Sequence, residues 1–182
     1  YVNVTLKTYH QMETEYGMSD DEISMLNSLM SPENLSSLGI TSGSTGTQNG
    51  GNKKSSLTQN EINEILNKIT DEKAKTAVSF ALSKVGYPYS QPLRNSGTHF
   101  DCSSLAYYAW NSAGISVMTD GSNTAASEAK WCSDNDCTVK EENLKPGDLI
   151  FYSYSNNGRY KNISHVGIYV GDGKMVEAVD EA

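Results

Sequence analysis

Residues 1–9, Tyr-Val-Asn-Val-Thr-Leu-Lys-Thr-Tyr, alternate apolar and polar side chains, the period-two pattern of a half-buried strand. Ser19 follows as a helix N-cap, and Glu22, three residues on, completes a capping box. Ile23, Leu26, Leu29 and Met30 then recur at helical spacing until Pro32 stops the run. From Leu57 to Ile69 the period is again helical, with Ile62, Ile65, Leu66 and Ile69 on one face. A second helix is predicted from Asp71 to Val85, with Ala74, Ala77, Val78, Ala81, Leu82 and Val85 inward and Gly86 ending it. The stretch after Asp101 reads as a third helix, with Cys102, Leu105, Ala106, Ala109 and Ala113 sharing a face.

The pattern then switches to strands. Leu144-Lys-Pro-Gly-Asp148 is a turn feeding the short strand 149–152. Residues 163–170 and 174–179 are two more strands joined by Gly171-Asp172-Gly173, a strong hairpin signal. Helices first and an antiparallel meander afterwards is an α+β layout, with helices segregated against a sheet.

One boundary stands out. Residues 41–56, TSGSTGTQNGGNKKSS, lack large apolar side chains and cannot offset their own ordering entropy, so they read as a flexible linker. This divides the chain into a small N-terminal segment (1–40), the linker (41–56) and the main domain (57–182).

Composition narrows the partners. With 14 basic and 22 acidic residues the net charge is −8, which repels nucleic acid phosphates and anionic lipid. No apolar run approaches the ~20 residues of a membrane span, so no membrane insertion is expected. The chain begins at Tyr1 without a signal-peptide pattern, which suggests a processed chain or part of a larger multidomain protein.

Three cysteines remain to be placed. Cys132 and Cys137 lie close enough to close a small-loop disulfide outside the cytoplasm, or stand as two reduced thiols. No second Cys/His pair has ligand spacing, so no metal site is expected. Cys102 is the unpaired thiol. Read alone it is a small apolar residue facing a core. Three features favour a nucleophile instead. It sits in the first turn of its helix, where unsatisfied N–H groups and the dipole favour a thiolate. Its neighbours Asp101 and Ser103 are polar. A histidine, His165, opens a strand far along the chain, as thiol–imidazole pairs require. His99, in the loop before Asp101, and His10 are weaker candidates, and Trp110 and Trp131 read as packing residues.

Asp101-Cys102-Ser103-Ser104-Leu105, Lys145-Pro-Gly-Asp-Leu-Ile-Phe-Tyr152, His165-Val-Gly-Ile-Tyr169 and the lead-in Ala81-Leu-Ser-Lys-Val-Gly-Tyr-Pro-Tyr89 together resemble the NlpC/P60 family of cell-wall peptidases, over roughly residues 72–179. The resemblance implies a papain-like α+β fold, a secreted or wall-associated location, no cofactor, and cleavage of the γ-D-glutamyl–diamino acid bond of peptidoglycan stem peptides. It makes Cys102 the nucleophile and His165 its base. Tyr89 would lie near the oxyanion, and Asp101 and Ser103 would help bind the free amine of the stem's first residue. In the family the third residue is most often His, whereas this chain has Glu177, whose carboxylate would orient His165.

Turn geometry bears on that assignment. A three-residue loop, 171–173, would put Glu177 on the face of His165; a two-residue turn at 172–173 would put Asp180 there instead. The ungapped family match favours Glu177. Two other readings compete with the peptidase: a wall-binding module that keeps the fold without turnover, and an acyltransferase or amidase, which the polar residues beside Cys102 disfavour.

Overall fold

The computed structural model describes residues 57–180 in full and the backbone of residues 4–8. The expected helix after Ser19 and the expected linker, 41–56, lie outside the described residues.

Helix α1 runs Gln59–Asn67. Thr58 and Glu61 form a reciprocal capping box that satisfies two N-terminal donors. Helix α2, Glu72–Ser83, is capped by Asp71 and buries Ala74, Ala77, Val78, Ala81 and Leu82, the inward face that the period predicted. Helix α3, Cys102–Ser112, packs against α2 and buries Leu105, Ala106 and Ala109. The alanines allow close approach of the two helix axes.

A fourth helix, α4, spans Ala125–Asp134 and was not anticipated. Its buried face consists of Ala125, Ala126, Glu128 and Ala129, too small and too polar to stand out as an amphipathic stripe. Thr124 supplies its N-cap.

The strands are β1 (Val4–Thr8), β2 (Leu149–Tyr152), β3 (His165–Gly171) and β4 (Lys174–Ala178). They form one antiparallel sheet in the order β1-β4-β3-β2. β1 thus comes from the segment that the sequence reading set apart as 1–40, and pairs Val4 with Ala178 and Thr8 with Lys174. Val166, Ile168, Val170, Val176 and Ala178 join the helices in the core. His165, Gly167 and Glu177 occupy the alternating positions.

The turn into β2 is tied to the sheet. The Gly147 amide donates to Tyr169 O at 2.8 Å, and the Tyr169 amide to Asp148 O at 2.8 Å. Trp110 Nε1 donates to Gly147 O at 3.0 Å, which fixes α3 against the same turn. Gly147 has φ +101°, and a Cβ there would lie 2.9 Å from Ala74 Cβ, so only glycine fits.

The hairpin between β3 and β4 combines both anticipated geometries. Gly171 pairs with Lys174, so the turn has two residues, Asp172 and Gly173, with φ +54° and +68°. A bulge between Tyr169 and Gly171 then restores the other register, pairing Tyr169 with Met175 and Ile168 with Val176. The extra residue, Val170, is what brings Glu177 back to the side of His165.

Candidate active site

Cys102 is the first residue of α3 and is half-buried. Asp101, its N-cap, accepts from the Ser104 amide at 2.8 Å, and Ser104 Oγ accepts from the Asp101 amide at 2.9 Å. This reciprocal cap fixes the backbone on both sides of the sulfur. The helix dipole and the free N–H groups of the first turn point at the same place.

His165 opens β3 and is buried. The Cys102 thiol is near enough to act on its charge, and its Nε2 lies 2.7 Å from Glu177 Oε2. The nitrogen facing Glu177 is therefore Nε2. Burial pulls the imidazole pKa down, but hydrogen bonds to Cys102 and Glu177, with their charges, outweigh it and push it up to about 9. Glu177 is fully buried. Asp180, the rival orienting residue, is exposed beyond the end of β4. Cys102, His165 and Glu177 thus stand side by side.

Tyr89 forms a parallel bridge with Phe100, two residues before Cys102. Burial raises its phenol pKa, and the charge of Cys102 adds to the rise, so the group stays an O–H donor.

Asp101 and Ser103 are both buried. A residue the sequence reading did not single out, Arg94, engages them. Its Nε lies 3.1 Å from Asp101 Oδ2, and its Nη2 donates to Ser103 Oγ and to Asn123 O, each at 3.0 Å. The guanidinium therefore ties the 87–100 loop to the start of α3 and to the entry of α4. It also occupies the carboxylate that the resemblance would leave for a substrate amine. The only hint in the sequence was a lone cation in the polar loop SQPLRNSG.

Glu128 was missed as well. It is fully buried on α4 and neither side-chain oxygen has a hydrogen-bond partner. Burial first, then the charge of Cys102, raise its pKa well above the ordinary carboxyl range, with Arg94 opposing. The signal was one acid in the small-residue run Ala125-Ala-Ser-Glu-Ala129.

Two tyrosines flank the imidazole. Tyr152 pairs across from His165 on β2, with ring centroids 5.9 Å apart. Tyr154 stacks on the imidazole at 6.2 Å with 26° between planes. His99 sits half-buried in its loop with Nδ1 3.0 Å from Thr98 Oγ1.

Cys132 and Cys137 are free thiols here, and the small-loop disulfide is not formed. The Cys137 amide donates to Cys132 O at 2.8 Å, while its Sγ is turned to Asn135 O at 3.2 Å. Both thiols line a cavity of about 490 Å³ between α4 and β2, whose lining includes none of Cys102, His165 and Glu177. No group of His, Cys, Asp and Glu suited to a metal ion occurs among the described residues.

Residues 86–182 match the model of the NlpC/P60 family. A probable endopeptidase p60 from Listeria grayi is 34% identical over 100 residues, 55% of this chain and 17% of that protein. The bifunctional muramidase/DL-endopeptidase CwlT of Bacillus subtilis is 33% identical over 106 residues, 58% of this chain and 29% of that protein. A solved NLP/P60 family protein from Staphylococcus aureus, 29% identical, superposes with a TM-score of 0.48 over 62% of this chain and 35% of that one. The match thus spans less than a third of either curated relative.

Proposed function

This chain belongs to the NlpC/P60 family, and on that premise we propose that it is a cell-wall hydrolase, a cysteine endopeptidase cutting the D-γ-glutamyl–diamino acid bond of peptidoglycan stem peptides. The observation that carries the reading is the unbroken line from Cys102 through His165 to the buried Glu177.

The chemistry follows from that line. The Cys102 thiolate attacks the amide carbonyl carbon, and the carbonyl π electrons move to oxygen. The oxyanion forms at the N-terminus of α3, where backbone N–H groups and the Tyr89 hydroxyl can donate to it. On collapse the C–N bond breaks, and the imidazolium of His165 gives its proton to the departing amine. A thioester remains on Cys102. Water then attacks it while His165 takes up a proton, releasing the new carboxylate and the thiol. Glu177 holds the imidazole in one tautomer and balances its charge. No metal or organic cofactor enters any step. Action on peptidoglycan places the site of work outside the cytoplasm, in the wall.

The reading is tested by mass spectrometry of tri- and tetrapeptide muropeptides incubated with the protein and with Cys102→Ala. A product cut between D-Glu and the diamino acid, absent with the variant, is expected. Folded wild-type protein that cuts neither substrate would favour a wall-binding module instead.

A further inference from the structure

Arg94 changes what the acyl half of the site can hold. Its Nε lies 3.1 Å from Asp101 Oδ2, and its Nη2 donates to Ser103 Oγ at 3.0 Å, so one guanidinium engages both residues that bracket Cys102. A further bond from Nη2 to Asn123 O, also at 3.0 Å, holds the guanidinium from the side of α4. The other Asp101 oxygen, Oδ1, accepts from the Ser104 amide at 2.8 Å. Both carboxylate oxygens are therefore committed, and Asp101 is only 5% exposed. The charges of Arg94 and Asp101 cancel. Glu128, the other acid close to them, is fully buried with neither oxygen hydrogen-bonded, and burial keeps it protonated. The N-terminus of α3 adds partial positive charge at the same place. A carboxylate next to the nucleophile would by itself attract a cation, but this one is already neutralised.

The acyl half of the substrate must pass over the start of α3, where its carbonyl meets Cys102 and the oxyanion meets the N–H groups of the first turn. A stem peptide freed from its glycan strand begins with an ammonium, one residue before the D-Glu whose side-chain carbonyl is attacked. In a stem still joined to the strand, the same nitrogen is an uncharged amide. An ammonium brought beside Arg94 and the occupied Asp101 loses water and gains no counter-ion, which is costly. An amide N–H asks only for one neutral acceptor or a water. From this we propose that Arg94 is a specificity-determining residue, which selects stem peptides whose first amine is acylated and disfavours those whose first amine is free. This rests on the peptidase reading above. Asp101 then serves as the counter-ion of Arg94 and the N-cap of α3, not as the receptor of a substrate amine.

The test compares kcat/KM on L-Ala-γ-D-Glu-L-Lys with its N-terminus free, acetylated or muramoylated, at about pH 6.5, where the free amine is protonated. Acetylation supplies the amide alone, and muramoylation the amide together with a sugar. The wild-type protein should cut both capped peptides about tenfold faster than the free one. Arg94→Gln removes the cation and leaves the Asp101 charge for the substrate, so its capped-to-free ratio should fall to about one or below. Arg94→Lys keeps a cation and should keep the wild-type ratio. Each ratio is taken within one preparation, so a loss of folded protein does not alter it, and the wild-type ratio stands whether or not the variants fold. Wild-type protein that cuts the free peptide as fast as the acetylated one would overturn the selectivity. A gain confined to the muramoylated peptide would assign it to the sugar and overturn it equally. An Arg94→Gln protein with the wild-type ratio would remove Arg94 as its source. Folded wild-type protein that cuts none of the three would overturn the peptidase reading and the selectivity together.

Discussion

The imidazole of His165 and the carboxylate of Glu177 meet at 2.7 Å because one extra residue, Val170, bulges out of β3. Without the bulge the two-residue turn at Asp172-Gly173 would turn Glu177 to the opposite face. The contact is buried, so the carboxylate acts on the imidazole with little screening. Glu177→Gln keeps the shape and a hydrogen bond but removes the charge. It should lower kcat/KM on a Lys tripeptide by about 100-fold, and Glu177→Ala by more, with the same protein fold by circular dichroism. Asp180→Asn should stay within about twofold of wild type, since that side chain lies exposed outside the contact chain. Steady-state kinetics of the three variants checks both statements.

The pH dependence follows from the same contact. The His165 pKa is pushed up to about 9, so the imidazolium is present at neutral pH and is lost above that value. The rate of acylation should therefore hold through neutral pH and fall as pH rises through about 9. Stability has the same sign. A cationic group with a raised folded pKa stabilises fully below its unfolded value, near 6.5, and that contribution disappears as pH rises through about 9. Glu177→Gln should move the alkaline limb of the rate profile to lower pH. Stopped-flow acylation rates between pH 5 and 10 measure the limb directly.

Arg94 should matter to folding more than its loop position suggests. Its guanidinium bridges Asp101, Ser103 and the Asn123 carbonyl. Arg94→Ala would leave the nearly buried Asp101 carboxylate without its cation, at a cost of about 3 kcal/mol. In a domain this size that lowers the melting temperature by about 8–12 °C. Arg94→Lys should recover less than half of the loss, because an ammonium cannot span the three acceptors. Differential scanning calorimetry of both variants at pH 7 separates charge from shape.

These sites differ in how far the sequence disclosed them. Cys102, Asp101 and His165 were legible because each combines a chemistry-bearing side chain with a local signal: a cap, a helix start, a strand start. The Pro-Gly-Asp turn and the Gly-Asp-Gly hairpin were legible for the same reason. The bulge at Val170 was not, since nothing in Gly-Ile-Tyr-Val-Gly distinguishes a bulged valine from a paired one. Which imidazole nitrogen faces Glu177 depends on that tertiary register. Arg94 and Glu128 escaped notice because a loop cation and a helix acid look solvated until the chain places them. Helix α4 was hidden by its alanines, which give almost no hydrophobic period.

Glu128 offers the last test. A fully buried carboxyl with neither oxygen partnered is tolerable only as the neutral acid, and its raised pKa has burial as the main cause. The linkage sign is that of a raised acid: the protonated form stabilises at low pH, and stability is lost as pH rises above the unfolded carboxyl value. Glu128→Gln removes the titration while nearly preserving volume. Its melting temperature should match wild type near pH 4 and exceed it at pH 8, by about 4–8 °C for a relief of 1–2 kcal/mol. Because the charge of Glu128 and that of Cys102 oppose each other, the same substitution should leave acylation at pH 6 near the wild-type rate and raise it above pH 8. Equal melting temperatures at pH 8 would mean that Glu128 has a proton-donating partner or water that keeps its charge from mattering, and the predicted gain in rate would vanish with it.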